Sequence, residues 1–193
     1  LKTLVLENPD DARSHVFYAT LLGNLGQSGA SVEEFKKAEQ LSPSKQTILM
    51  QLGGAYIGAG NYELAFEAFK KAYELDVSYV QAQILYGVGA IYLGKSDEAN
   101  STLSTIDQNV LLFDDRIVSA LAATNRYAEL VQIFNKRIET EEGKKNPQNY
   151  VSLAISYVQI GDKANARKVL STLKTIDPGY TEQVDAYLKE IGG

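Results

Sequence analysis

The sequence predicts an all-α protein, a solenoid in which antiparallel helix pairs stack one after another. Three observations predict it. In the stretch Gln46–Tyr79, Leu52, Tyr56, Phe69 and Ala72 recur at helical spacing on either side of a break at Gly58-Ala59-Gly60-Asn61. That pattern gives two amphipathic helices whose apolar stripes must cover each other. Gly53 and Ala65 stand where those helices would cross, and their lack of bulk lets the two backbones approach. A larger side chain at Ala65 is expected to overpack the contact by about 1–3 kcal/mol. Finally, the same pattern recurs 34 residues to either side of Gln46, the mark of a repeat architecture.

Composition sets limits on function. A chain of 193 residues, 45% of them hydrophobic, can bury a substantial core, but in a repeat array length does not count domains. With no cysteine there is no disulfide framework, thiolate metal site or cysteine nucleophile. A formal net charge of −5, with acidic and basic residues intermixed, argues against a nucleic-acid-binding surface. No apolar run reaches the roughly eighteen residues of a membrane span, and the opening LKTLVLENPDD has neither an initiator Met nor a basic leader region. Compartment stays unassigned.

Taken in order, Leu1–Glu7 with Asn8-Pro9 reads as the end of a second helix and its closing turn, so residues 1–11 are expected to finish a preceding repeat. The first full repeat, 12–45, places His15, Tyr18-Ala19, Leu22, Ser31, Phe35, Ala38 and Pro43 on the template, with Gly26-Gln27-Ser28-Gly29 between its helices. Ser31 and Glu34 are expected to form a capping box for its second helix. Repeat 46–79 follows, and repeat 80–110 carries Tyr86-Gly87, Ala90, Gly94, Ala99, Leu103 and Ile106 at equivalent places. The fourth repeat, 111–146, starts three residues early if Asn125-Arg126-Tyr127 is its turn and Phe134 its large core residue; the polar run Glu141–Asn146 compensates. Val118 and Leu130 replace the usual small residues there, so its helices are expected to lie further apart and to change the superhelical pitch locally. Repeat 147–180 restores the pattern with Leu153-Ala154, Tyr157, Gly161-Asp162, Ala166, Leu170, Leu173 and Pro178. The segment 181–193 is expected to be a solvating cap, a helix Thr181–Ile191 with Val184, Tyr187, Leu188 and Ile191 on one side, stopped by Gly192-Gly193.

Leu52-Gly53, Tyr56, Ala65, Phe69 and Pro43, with their counterparts, make the chain from about Ala12 to Tyr180 resemble the tetratricopeptide repeat family. The resemblance implies a right-handed superhelix whose first helices line a concave groove, and a non-catalytic module that binds peptides or helices of other proteins. The groove positions it assigns are Val16 and Thr20; Met50, Gly54 and Ile57; Ile84, Val88 and Ile91; Asp115 and Ser119; and Val151, Ile155 and Val158. This surface reads as apolar and nearly uncharged, lacking the Lys, Asn and Arg with which family members grip a carboxylate. The expected partner is an apolar or amphipathic segment, from the parent protein, a second copy or another protein. The alternative is that these side chains pack between helices. The layout also resembles the repeat tails of bacterial O-antigen ligase-like membrane proteins, through the ENPDDAR entry, the degenerate fourth unit and the ending IDPGYTEQVDAYLKEI; that reading makes the chain a regulatory or oligomerising tail.

The remaining candidates favour plain readings. His15, the single histidine, takes the packing position usually held by Trp and has no partners for catalysis or metal binding. Gly87-Val88-Gly89 lies inside a helix with no preceding strand, so close packing explains it better than phosphate binding. Gly53 and Gly60 read as close helix approach, whereas Gly54 and Gly58 have no packing reason and suit a nearby ligand backbone. Asn100-Ser101-Thr102 falls in a helix, which makes its glycosylation pattern fortuitous. Asp114-Asp115 and Glu139–Glu142 lack a calcium loop's alternation. Tyr56, Tyr62, Tyr73, Tyr157 and Tyr187 fall at core spacing, and Glu33–Lys37 and Glu67–Lys71 are spaced to pair along exposed faces. No cofactor, metal or catalytic group is assigned.

Overall fold

A computed structural model describes residues 2–192 of the chain, with side chains from residue 5 onward. It contains thirteen α-helices and no strand among the described residues, in two compact units, Leu1–Asp107 and Gln108–Gly193. The first unit holds α1 (Lys2–Glu7), α2 (Ala12–Asn24), α3 (Ser28–Leu41), α4 (Gln46–Gly58), α5 (Tyr62–Leu75), α6 (Val80–Tyr92) and α7 (Ser96–Leu103). The second holds α8 (Gln108–Leu112), α9 (Asp115–Ala123), α10 (Tyr127–Glu139), α11 (Pro147–Gln159), α12 (Lys163–Ile176) and α13 (Thr181–Gly192), with short 3-10 turns at Gly143–Lys145 and Pro178–Tyr180. Helices consecutive in sequence pack against each other throughout the first unit and from α9 to α13 in the second, where α8 packs on α10.

One turn, used five times, sets the hairpins. Gly26, Gly60, Gly94 and Gly161 have φ between 68° and 82°, and Asn125 takes the same left-handed conformation at φ 57°. In each turn the next residue's N–H reaches back to a carbonyl five residues earlier: Gln27 to Leu22, Asn61 to Tyr56, Lys95 to Ala90, Arg126 to Leu121 and Asp162 to Tyr157. That closure satisfies carbonyls a helix end would otherwise orphan, and it demands a residue that tolerates positive φ. Gly60 is thus a turn residue and not a close-approach residue, since a Cβ there would meet nothing within 4 Å. Asn is among the few residues with a side chain that adopt this conformation readily, so Asn125 keeps the turn between α9 and α10.

Helix crossings follow the small residues. A Cβ on Gly53 would overlap the ring of Phe69, and one on Gly87 would lie 2.6 Å from Leu103 Cδ2. Ala65, Ala72 and Ala90 are fully buried. In the first unit Ala19, Val32, Phe35, Leu52 and Ala68 form one cluster. In the second, Tyr150, Val151, Ala154, Ala166, Leu170, Leu173, Val184 and Ile191 form another, with Tyr187 and Leu188 packed against it. The side of α13 expected to face the core does so.

Three local expectations fail. The capping box does not form: α3 begins at Ser28, because the glycine turn ends at Gln27, which leaves Ser31 inside the helix. There its hydroxyl donates to the Ala19 carbonyl at 2.8 Å, while Glu34 binds His15 and Lys37. Lys37 therefore pairs with Glu34 and not Glu33, and Lys71 reaches Glu39 of α3. Gly192 is part of α13, and Gly193 lies outside the described residues.

Candidate functional site

The groove positions separate into buried and open sets. In the first unit, Ile84, Val88 and Ile91 of α6 are 0%, 3% and 3% exposed, so no partner can reach them as the chain stands. The reason is that α6 is apolar around most of its circumference, and a helix of that kind is covered on most sides. Val16, Met50 and Ile57 are half-buried, Val16 against the Ala19–Phe35 cluster. Thr20 is exposed, its hydroxyl donating to the Val16 carbonyl at 2.9 Å. Gly54 is exposed, and a Cβ on it would meet nothing within 4 Å. In the second unit, Val151 is buried and Val158 packs on the core, Ile155 is 45% exposed, and Asp115 and Ser119 are exposed. Asp115 accepts a hydrogen bond from Arg137.

Among the openings of the first unit is a shallow trough of about 330 Å³ between α2 and α4; a neighbouring one of about 360 Å³, lined by Val16, Phe17, Ile48 and Gln51, lies between the same helices. Thr20 and Asn24 enter the trough from α2, and Gln51, Gly54 and Gly58 from α4. Each set keeps helical spacing, four apart on α2 and three then four apart on α4, so each projects from one helix face. Ser31 and Phe35 lie beneath. The trough's lining is uncharged and mixed, hydrogen-bonding side chains alternating with glycines, Phe35 and Ala55, and is not the continuous apolar row expected. Asn24 and Gln51 were missed because the groove template was read at fixed positions; the i, i+4 step from Thr20 and the i, i+3 step to Gly54 are the signals that point to them.

His15 sits apart from this trough, at the opposite end of α2. It is 4% exposed and hydrogen-bonded rather than merely packed, with Nδ1 2.6 Å from Glu34 Oε2 and Nε2 2.9 Å from the Pro9 carbonyl oxygen. Burial raises the Glu34 carboxyl, but hydrogen bonds from Lys37 and His15 outweigh it and hold the group below its ordinary value. Among the described residues no cluster of three or more His, Asp or Glu side chains is placed to hold a metal ion, and no helix is long and apolar enough to cross a membrane.

Residues 12–45 and 47–77 match the family model described as tetratricopeptide repeat. Solved structures share the architecture. A tetratricopeptide repeat protein from Parabacteroides merdae is 18% identical, with 98% of this chain and 74% of that one covered and a TM-score of 0.66. MamA from Desulfovibrio magneticus is 13% identical, covering 87% and 96%, at a TM-score of 0.63. YrrB, described as a TPR protein with an unusual peptide-binding site, is 18% identical, covering 98% and 97%, at a TM-score of 0.56. At these identities the likeness shows the fold: an all-α solenoid of the tetratricopeptide kind, with two repeats matching the family model in the first unit.

Proposed function

We propose that this chain, with its two tetratricopeptide repeats in the first unit, is a non-catalytic module that binds a segment of another protein in the trough between α2 and α4. The observation that carries the reading is Gly54: exposed, mid-helix, and free of any neighbour a side chain would touch. A mid-helix glycine costs about 1 kcal/mol relative to Ala, and packing does not account for it here. It leaves room for a ligand backbone to approach. Asn24 and Gln51 flank it with amide groups that both donate and accept, as a peptide main chain does. The favoured ligand is therefore an extended segment held through its backbone, in place of the apolar or amphipathic segment expected from the sequence, because four of the residues expected to grip it, Ile84, Val88, Ile91 and Val151, are buried. No observation here favours the reading as a tail of an O-antigen ligase-like enzyme.

The test is selection of a displayed random-peptide library on the intact protein. Enriched peptides are expected to lose about tenfold or more in affinity, near 1.4 kcal/mol, in Gly54→Leu and in the Asn24→Ala/Gln51→Ala pair. Since Gly54 is exposed and leucine is a better helix former, the first variant stays folded. Undiminished binding by both variants sinks the assignment of the site.

A further inference from the structure

We propose that the partner segment carries an acidic side chain next to an apolar one, read by Arg13, Lys45 and Phe17 where the trough runs on toward the starts of α2 and α4. This rests on the reading of the trough as a peptide site and narrows which peptides enter it. Two stripes define the path. On α2, Arg13, Phe17, Thr20 and Asn24 stand four, three and four residues apart; on α4, Thr47, Gln51, Gly54 and Gly58 keep the same steps. Residues so spaced share one helix face, and all eight are exposed. The later members of each stripe line the trough, the earlier ones line the neighbouring opening of about 360 Å³, and Gln51 belongs to both. One ligand chain can therefore lie along the two.

The two halves of this strip differ in chemistry. The trough is uncharged. In the neighbouring opening Phe17, 60% exposed, stands beside Val16 and Ile48, and the charged lining residues are Arg13 and Lys45, with no acid among them. In a chain of net charge −5 that is a local reversal of sign, and it favours an anionic group. Neither cation is spent inside the protein. Lys45 is exposed and joins no ion pair among the described residues. The Arg13 side chain is 88% exposed, its Nε 3.5 Å from an Asp11 carboxylate that already accepts from the Arg13 and Ser14 backbone N–H groups and from the Ser14 hydroxyl. A peptide supplies the matching anion as a carboxylate, and the Phe17 ring offers an apolar wall to the side chain beside it. A rise of about 1.5 Å per residue places Phe17 about 5 Å and Arg13 about 10 Å along α2 from Thr20. An extended segment advances about 3.3–3.6 Å per residue, so with its backbone over Gly54 the apolar side chain falls about one or two residues on and the acid about three.

The experiment is selection of a random-peptide library displayed through its C-terminus, so that no free α-carboxylate is offered. It is run on the intact protein and on Phe17→Ser, the Arg13→Ser/Lys45→Ser pair and the Arg13→Glu/Lys45→Glu pair. All three residues are exposed, so these variants keep the fold. Peptides enriched on the wild type are expected to carry Asp or Glu close to an apolar side chain, and on the glutamate pair the acid position is expected to turn to Lys or Arg. Replacing the acid of an enriched peptide by Gln is expected to weaken wild-type binding about fivefold, the upper range for an exposed ion pair, and to leave binding by the serine pair unchanged. Phe17→Ser is expected to remove the apolar preference and to lower affinity about fivefold. Peptides that Gly54→Leu expels but that show no acid or apolar preference overturn this proposal and leave the trough reading standing; indifference to Gly54→Leu removes both. An acid preference confined to libraries with free C-termini overturns the side-chain assignment. A concentration-dependent dimer that Phe17→Ser dissolves overturns it in favour of a second copy, and a library without binders counts against both readings.

Discussion

The helix pairs α4–α5 and α9–α10 solve one problem in opposite ways. In the first pair, α4 and α5 approach because side chains are missing: Gly53 leaves space for the Phe69 ring, and Ala65, Ala68 and Ala72 are at most 5% exposed. In the second pair, Leu130 is a large buried residue, α9 has nine residues to the thirteen of α4, and a buried arginine fixes the arrangement. Arg137 Nε donates to the Leu112 carbonyl at 2.6 Å and a terminal nitrogen reaches Asp115 Oδ1 at 3.3 Å. Its guanidinium lies 5.5 Å and 5.3 Å from the rings of Phe113 and Phe134. Beyond it, the Thr140 hydroxyl donates to the Arg137 carbonyl and accepts from the Gly143 N–H, and Gly143 is required because a Cβ would overlap that carbonyl. A contact made by absence resists additions, whereas a contact made by directed bonds resists removals.

The largest expected effect comes from removing the arginine. Arg137→Ala loses a charge-assisted hydrogen bond worth about 1.5–3 kcal/mol, two cation–π contacts of about 0.5–1 kcal/mol each, and the packing of its stem. A loss of about 4 kcal/mol in urea unfolding is expected, with faster amide exchange over Gln108–Leu112, which Arg137 ties to α10. Arg137→Lys recovers less than half, since an ammonium has neither the planar face nor the Nε donor. A cost below about 1 kcal/mol would mean that Arg137 does not hold α8, and the contrast with the α4–α5 pair would collapse.

Next in size is an addition to the α4–α5 pair. Gly53→Ala gains about 1 kcal/mol of helix propensity and loses about 1–3 kcal/mol by overpacking, a net cost near 1 kcal/mol. Phe69 is 1% exposed and has no room to swing aside. Shortening it should relieve the clash, so Gly53→Ala with Phe69→Leu is expected to be less unstable than the two single changes summed, by about 0.5–3 kcal/mol. Gly54→Ala, one residue on, adds a methyl to open space and is expected to stabilise by up to about 1 kcal/mol. Equal effects at Gly53 and Gly54 would break the steric account.

The difference between the two pairs also explains what the sequence reveals. Spacing carries steric information, so Gly53, Gly87 and Ala65 announce the crossings, and Gly26, Gly60, Gly94 and Gly161 announce the turns. Asn125 was legible for the same reason: few residues accept its conformation. Arg137 was not, because a basic residue in a helix's last turn reads as solvated until Phe113 and Leu112 are brought over it. The capping box failed because the cap is Gln27 and not Ser31, a shift of four residues, small along the sequence but a little more than one helical turn. Ile84, Val88 and Ile91 were misplaced because periodicity finds an apolar face without saying whether neighbouring helices or a ligand cover it. Of the residues lining the trough, Thr20 and Gly54 stand at positions the groove pattern marks, whereas Asn24 and Gln51, polar residues of ordinary kind, do not.

The smallest effect concerns the cap that begins α9. Asp114 accepts from the Arg116 backbone N–H at 2.9 Å and pairs with its guanidinium. Burial raises the Asp114 carboxyl, yet the hydrogen bonds and charge of Arg116 outweigh it and hold the group below its ordinary 3.8. A carboxyl lowered by folding contributes stability that is complete above its unfolded value and disappears as pH falls through the folded one. Asp114→Ala is expected to cost about 1 kcal/mol near neutral pH, the usual value of an N-cap. Asp114→Asn keeps an acceptor for the backbone and loses only the charge, so it should cost less, and its difference from the wild type should vanish once Asp114 is protonated. Urea unfolding of the three proteins from neutral to acid pH checks this: a wild-type advantage over the asparagine variant that persists at the acid end would place the cap's contribution in geometry and leave nothing to the charge.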